Sequence, residues 1–320
     1  MMQKLYTIVS SLKLGALFFL ISFFVPASHS DSYFDAGDSS IRIISESYQI
    51  NSEDTLLVGL EIKLSPTWHT YWKNPGDSGE GATIKWNLPK GFEASNILWP
   101  GPERIPVEPL MTFGYEDEVL LLSKIKSPKN FSEKLTISAT VTWLTCKDIC
   151  IPQEGIVDLI LTKGPKEKSK FYKKLNDVST SLPQPSLRSA RAVTINDKMF
   201  LQIEDEIPQN LDEVYFFPND YGIISYTKEQ KLERNNKSLS LELSPAEIQI
   251  ESNRLRGVLK FKTQTEEEFY EVDLPLEKAA KPPELSMSLL TGIFFAFLGG
   301  IILNAMPCVF PILSIIILSH

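Results

Sequence analysis

Apolar and polar residues alternate along much of the chain. Between residues 41 and 64 the alternating apolar positions include Ile41, Ile43, Ile44, Leu56, Val58, Leu60, Ile62 and Leu64, with polar residues such as Arg42, Glu61 and Lys63 between them. A period of two turns one face of an extended segment toward a core and the other toward water. Shorter runs of the same kind follow at Thr83–Leu88, Val119–Ile125, Leu135–Leu144 and Gly155–Leu161, separated by the turn clusters Asn74-Pro-Gly-Asp, Pro89-Lys-Gly and Ser127-Pro-Lys-Asn. Many short strands punctuated in this way predict an antiparallel sandwich over residues 31–163. A basic, polar stretch follows. Within it Ser169–Leu182 reads as a helix capped by Ser169, and 164–190 as a linker. Seven further short apolar runs, from Ala192–Ile195 to Phe269–Leu274, predict a second β-sandwich over 191–276.

The two ends break this pattern. Lys4 and Lys13 precede an apolar run from Leu14 to Val25, and the small residues Ala27, Ser28 and Ser30 follow it. This is the layout of a secretory signal peptide over residues 1–30, cut near Ser28 or Ser30. At the other end no charged residue occurs from Met287 to Leu318. Such a run exceeds the roughly 20 residues that span a bilayer, so 287–318 is expected to be a transmembrane segment, reached through a charged, proline-rich juxtamembrane linker at 277–286. The expected architecture is therefore mainly β: two immunoglobulin-like β-sandwich domains followed by a transmembrane α-helical segment. The sequence stops at His320, two residues after the apolar run, as expected of a truncated gene product or a partial sequence.

Composition narrows the function. With 320 residues there is room for about two domains. The formal net charge is −8, and loss of the leader with its two lysines takes it to −10. An acidic chain is a poor match to nucleic acid, whose phosphates need a basic surface. Three cysteines are too few for a disulfide-built scaffold, and an odd number leaves at least one without a partner in the chain.

Cys146 and Cys150 bracket Lys147-Asp148-Ile149. In a straight strand four residues cover about 13 Å, whereas a disulfide needs Cα atoms within about 7 Å. The two can bond only if the chain turns between them, and the flanking runs place them near such a turn. A ring that small removes little unfolded-state entropy. Three readings stand for the pair: a local structural disulfide, a thiol-exchange centre, or a soft-metal site for an ion such as Cu(I), with His69 or Met111 as a further ligand. Lys147 favours the thiolate of Cys146 and Asp148 opposes it. Cys308 lies between Pro307 and Pro311, after Asn304. Prolines break helix hydrogen bonding, and broken backbone at membrane depth must be buried in protein or line a wet cavity. The segment reads as a presented thiol that packs against further spans.

The stretch NAMPCVFPILS resembles the first transmembrane helix of the DsbD/ScsB thiol:disulfide transporters, whose membrane domain is shared with the CcdA family. The exported part is similar too, in TWHTYWKNPGDSGE (Thr67 to Glu80), the Trp99-Pro-Gly-Pro region with Arg104, Phe113-Gly-Tyr115, and TWLTCKDICIP (Thr142 to Pro152). The resemblance implies a protein-disulfide reductase of the bacterial inner membrane with most of its mass in the periplasm. Electrons would pass from cytoplasmic thioredoxin, through membrane spans that this sequence lacks, to periplasmic thioredoxin-fold proteins, including those of cytochrome c maturation or disulfide isomerisation. Cys146, Cys150 and Cys308 would be the catalytic residues, with no cofactor and no bound metal. The membrane partner of Cys308 and any C-terminal thioredoxin-like domain are missing from the sequence, so the fragment is expected not to transport electrons by itself. Tyr71, Trp72, Phe113 and Tyr115 are candidates to shield the pair, with ordinary sandwich core the favoured reading of such residues.

Overall fold

In the computed structural model the described residues are 32–185, 187, 189–196, 198–204, 210–234, 238–247, 252–278 and 289–304. They are mainly β, consistent with immunoglobulin-like sandwich domains. The first part holds β1 (Tyr33–Asp35), β2 (Ser39–Ser45), β3 (Gln49–Ile50), β4 (Thr55–Leu64), β5 (His69–Gly76), β6 (Thr83–Asn87), β7 (Glu93–Ala94), β8 (Glu103–Val107), β9 (Leu110–Glu116), β10 (Glu118–Lys126), β11 (Lys134–Cys146) and β12 (Cys150–Lys163). One sheet has the order β1-β2-β4-β10-β7, and a second the order β3-β12-β11-β5-β9-β8, with β6 also paired to β11.

The alternation seen in the sequence is what closes these sheets on each other. Ile137, Val141 and Trp143 of β11 and Val157 and Leu159 of β12 are buried in one cluster with Ile43, Leu60 and Ile62 of the facing sheet. Each fully buried aliphatic side chain contributes on the order of 1.5–3 kcal/mol. The intervening even-numbered residues of β11 and β12 face outward, and the two cysteines belong to that outer face.

The segment after β12 forms α1 (Tyr172–Thr180). Its N-cap is Phe171 rather than Ser169. The Ser169 hydroxyl instead accepts from the Phe171 N–H at 3.0 Å, a local turn that precedes the helix. Leu175 packs with Ile44, Leu120 and Leu122 on the back of the first sheet. Lys174 bonds the buried Glu61, which also pairs with Arg42. Burial pushes the Glu61 carboxyl up, but the hydrogen bonds from Arg42 and Lys174 outweigh it and hold the group below its ordinary range.

The second part holds β13 (Ala190–Ile195), β14 (Lys198–Ile203), β15 (Glu213–Pro218), β16 (Lys231–Arg234), β17 (Leu239–Leu243), β18 (Arg254–Lys262) and β19 (Glu267–Lys278), in the order β15-β18-β19-β13-β14-β17-β16. β19 changes partner along its length, antiparallel to β18 and then parallel to β13. Such a switch lets one path of strands fold over a single core. One of the seven apolar runs expected to be strands, Ile223–Tyr226, makes only an isolated bridge from Ile224 to Pro245. Its apolar residues mark burial, not a ladder.

The two parts share one continuous core. Trp72 meets Phe217 edge to face at 6.3 Å, and Phe113 meets Phe217 and Tyr226 at 5.1 Å each. Asn74 donates to the Pro218 carbonyl at 2.7 Å. The expected turn at Asn74-Pro-Gly-Asp is therefore corrected: β5 continues through Gly76, with a register shift between Tyr71 and Gly76. Asn74 is buried because its amide serves this junction. Its carbonyl accepts from the Gly76 N–H, so the turn chemistry shapes a strand irregularity.

A last helix, α2 (Leu289–Asn304), turns Ile293, Phe294, Phe297, Leu298 and Ile301 outward. Among the described residues no helix is long and apolar enough to cross a membrane. The expected leader at 1–30, the remainder of the expected span to 318, and Cys308 lie outside the described residues.

Candidate active site

The hairpin β11–β12 is in unbroken antiparallel register from Lys134 opposite Thr162 to Cys146 opposite Cys150. That register makes the two cysteines directly facing neighbours at the hairpin tip. Lys147, Asp148 and Ile149 make the turn, closed by the Lys147 N–H donating to the Ile149 carbonyl at 3.1 Å. The Cα atoms of Cys146 and Cys150 are 4.1 Å apart and their sulfurs are bonded. The chain does turn where the disulfide requires it.

The two sulfur-bearing residues sit in different surroundings. Cys146 is 2% exposed, while Cys150 and the three turn residues are exposed. The difference comes from β5, which pairs with β11 through His69 opposite Cys146 and leaves β12 uncovered at that end. Side chains of facing residues in an antiparallel pair lie on the same side of the sheet. Two residues along β5 on that same face, the Tyr71 hydroxyl donates to Cys146 Sγ at 2.7 Å and stands 3.5 Å from Cys150 Sγ. Burial pushes the Tyr71 phenol up, which keeps it a proton donor at neutral pH. A hydroxyl so placed stabilises charge on Cys146 Sγ whenever the disulfide opens, because hydrogen bonds to an ionised acceptor are the strong ones.

Tyr71 is held from above by the backbone after β5. Gly79 has φ of +105°, and a Cβ there would stand 2.1 Å from the Tyr71 ring. Only glycine permits both that conformation and that approach. From below, the Thr70 hydroxyl donates to the Leu144 carbonyl at 2.9 Å and ties β5 to β11. On the inner side of the same hairpin, Thr145 and Gln153 both bond Asp38, and Trp143 Nε1 donates to the Ser39 hydroxyl at 3.0 Å. The tip is thus anchored on both faces, and only its Cys150 side is open.

His69 is 5% exposed and its ring meets that of Tyr71 edge to face at 5.3 Å. Burial pushes its imidazole down, toward the neutral form. Of the four aromatic candidates, Tyr71 alone reaches the sulfurs. Trp72 and Phe113 belong to the junction with the second part, and the Tyr115 hydroxyl donates to the Pro100 carbonyl at 2.8 Å. Met111, a candidate soft-metal ligand with His69, instead lines a cavity of about 400 Å³ with Arg104, Glu213, Phe217 and Lys260, at the junction of the two parts. Arg104 stacks on Tyr215 at 4.4 Å there and pairs with Glu213 at 2.9 Å. Among the described residues no three His, Cys, Asp or Glu side chains form a metal-binding group. Sequence reasoning missed Gly79 and Asp38. The first lies in a segment rich in glycine, and a required positive φ is the signal it carried.

Residues 44–162 match the family described as thiol:disulfide interchange protein DsbD, N-terminal. The N-terminal periplasmic domain of ScsB from Proteus mirabilis is similar in fold, with 19% identity and a TM-score of 0.60, covering 78% of this chain and 99% of that one. Chimeric titin Z1Z2 aligns over 78% of this chain and 98% of its own, at 11% identity and a TM-score of 0.19. Titin Z1Z2 in complex with telethonin aligns over 77% and 100%, at 10% identity and 0.18. Scores so low carry no argument. No curated protein sequence matches the chain. The chain is thus similar to DsbD over residues 44–162 and to the ScsB domain in fold, and the family match ends beyond the disulfide at the close of β12.

Proposed function

We propose that this DsbD/ScsB-like chain is the exported thiol–disulfide exchange part of a membrane disulfide reductase. One observation carries the reading: a disulfide at a hairpin tip joins a buried sulfur, hydrogen-bonded by Tyr71, to an exposed residue, Cys150. A structural bond needs neither the exposure nor the donor.

The chemistry follows from that asymmetry. A donor thiolate attacks Cys150 Sγ on the open side, the Cys146–Cys150 bond breaks, and Cys146 leaves as a thiolate under the Tyr71 hydroxyl. A second donor thiol, as thiolate, attacks the donor sulfur of the mixed disulfide and releases Cys150. The dithiol then acts in reverse on an oxidised partner: Cys150 attacks, the partner's sulfur leaves, and Cys146 resolves the mixed disulfide. The partner is reduced by two electrons and the pair reoxidised. Lower leaving-group pKa speeds such exchange, which is the service of Tyr71.

In this reading residues 31–163 are the exchange domain and 191–276 a second sandwich. Residues 1–30 are a removed leader, and 287–318 begin the membrane domain that carries Cys308. Electrons come from cytoplasmic thioredoxin through that domain and leave to periplasmic thioredoxin-fold proteins. The family match and the likeness in fold to a periplasmic domain support this placement.

The test is redox equilibration of the full chain with glutathione, with the state of Cys146 and Cys150 read by alkylation and peptide mass. The pair is expected to equilibrate at a potential above about −300 mV, the upper bound for inert structural bonds. A pair that stays oxidised throughout the glutathione range overturns the reading.

A further inference from the structure

Among the described residues, six buried side chains have a polar atom with no hydrogen-bond partner, and His69, through Nε2, is the only titratable one. Buried polar atoms are almost always satisfied, and an exception calls for a reason. The register supplies one. His69 is the facing residue of Cys146 on β11 and, on its other side, of Glu116 on β9. With Cys146 opposite Cys150, the four residues Glu116, His69, Cys146 and Cys150 form one row across four strands. Facing residues share a side of the sheet with Cβ atoms about 4.5–5.5 Å apart. An exposed carboxylate, a buried imidazole, a buried sulfur and an exposed cysteine therefore stand in sequence.

We propose that His69 is the proton acceptor for the Cys146 thiol during resolution of the mixed disulfide, with Glu116 balancing the charge it then carries. The proposal rests on the exchange reading above. While the disulfide is closed, Cys146 Sγ has no proton to give, and the imidazole stands neutral with Nε2 unpaired. Once the bond opens, Cys146 carries a thiol on the residue that directly faces His69. The thiol proton passes to Nε2, the thiolate attacks Cys150 Sγ, and the partner's sulfur leaves with the electron pair. The imidazolium faces Glu116 at the solvent edge and returns its proton to water.

Other titratable or charged groups around His69 do not duplicate this role. Tyr71 on β5 donates to Cys146 and so does not accept its proton. Lys147 and Asp148 lie in the exposed turn beyond Cys146. Asp38 is bonded to Thr145 and Gln153 on the other side of the hairpin.

The experiment uses the full chain with Cys150→Ser, which frees Cys146 as a thiol. Its alkylation rate is followed against pH by the mass of the Cys146 peptide, so that Cys308 does not interfere. With His69→Gln the midpoint is expected to rise by about one pH unit, the size of effect that a neighbouring imidazolium has on a thiolate. In the chain that keeps Cys150, resolution of a mixed disulfide with glutathione at pH 7 is expected to slow about three- to fourfold. The thiolate fraction falls about tenfold, while each thiolate becomes more nucleophilic as its pKa rises. Glu116→Gln touches only an exposed side chain and decides the matter if His69→Gln fails to fold. Its midpoint should rise by about 0.2–0.7 unit, the reach of an exposed ion pair. Unmoved midpoints in the folded variants overturn the role of His69 while leaving the exchange reading intact. A wild-type pair that does not exchange with glutathione overturns both.

Discussion

The molecule carries two long hairpins whose tips invite comparison. In β11–β12 the last facing pair before the turn is Cys146 and Cys150. In β18–β19 it is Lys262 and Glu267, bridged at 2.7 Å, with Lys260 reaching the same carboxylate at 3.3 Å. Both are antiparallel pairs closed by a short turn, of three residues in the first and four in the second, and their side chains differ in kind. One tip is a covalent bond, half covered by β5 and supplied with a hydrogen-bond donor. The other is an ion pair between the partly exposed Lys262 and Glu267, where screening and side-chain entropy leave little net stabilisation. A fold does not confer activity; a site grafted on it does. What sets the first tip apart is the strand laid beside it, and that strand, β5, is the one braced by the second part through Trp72 and Asn74.

The strongest way to break the comparison is to separate the two parts. Phe113→Ala removes a fully buried ring that meets Tyr215, Phe217 and Tyr226. The expected loss is about 3–5 kcal/mol, read as a lowered denaturant midpoint, with the potential of the Cys146–Cys150 pair also displaced if the brace on β5 matters. Replacing both cysteines by serine should cost less, about 2 kcal/mol for a ring this small. Exchange with glutathione at residues 146 and 150 should vanish entirely, and the gap between those two effects measures how far the tip is a site rather than a staple.

Glu61→Gln probes the anchoring of α1 on the back of the first sheet. Losing hydrogen bonds from Arg42 and Lys174 to a charged acceptor is expected to cost about 2 kcal/mol. The native carboxyl lies below its ordinary value of 4.5, so its contribution is fully present above that value and fades as pH falls through the lower folded one. Stability curves of wild type and variant should converge in acid, and parallel curves would refute the assignment. The smallest effect belongs to the other tip. Lys262→Ala should leave both the melting temperature and the exchange rate unchanged, and a measurable change in either would mean that the two tips are less different than their surroundings imply.

Much of this was legible along the chain. Period two marked the strands, because a half-buried sheet imposes that spacing on any sequence that forms it. The spacing of Cys146 and Cys150 demanded a turn, and the hairpin has one. Other features were hidden for identifiable reasons. Asn74-Pro-Gly carries turn residues, yet its amide is consumed by a carbonyl 144 positions away. No local signal reports such a partner. Ile223–Tyr226 is apolar because it is buried, and burial alone does not say that a ladder forms. Tyr71 was a candidate shield, but that its hydroxyl meets Cys146 Sγ depends on the register of β5 against β11, which only non-local pairing sets.

The sequence by itself determined that the body is β, that two cysteines sit at a turn, and that the chain is acidic with apolar ends. These are local properties, written in the spacing and chemistry of neighbouring residues. Only the tertiary structure decided which cysteine is covered and which is open, that His69 stands in register between Cys146 and Glu116, and that the second part braces the strand beside the disulfide. Each depends on strands distant in sequence meeting in one register, and register is fixed by burial of whole faces rather than by any residue alone.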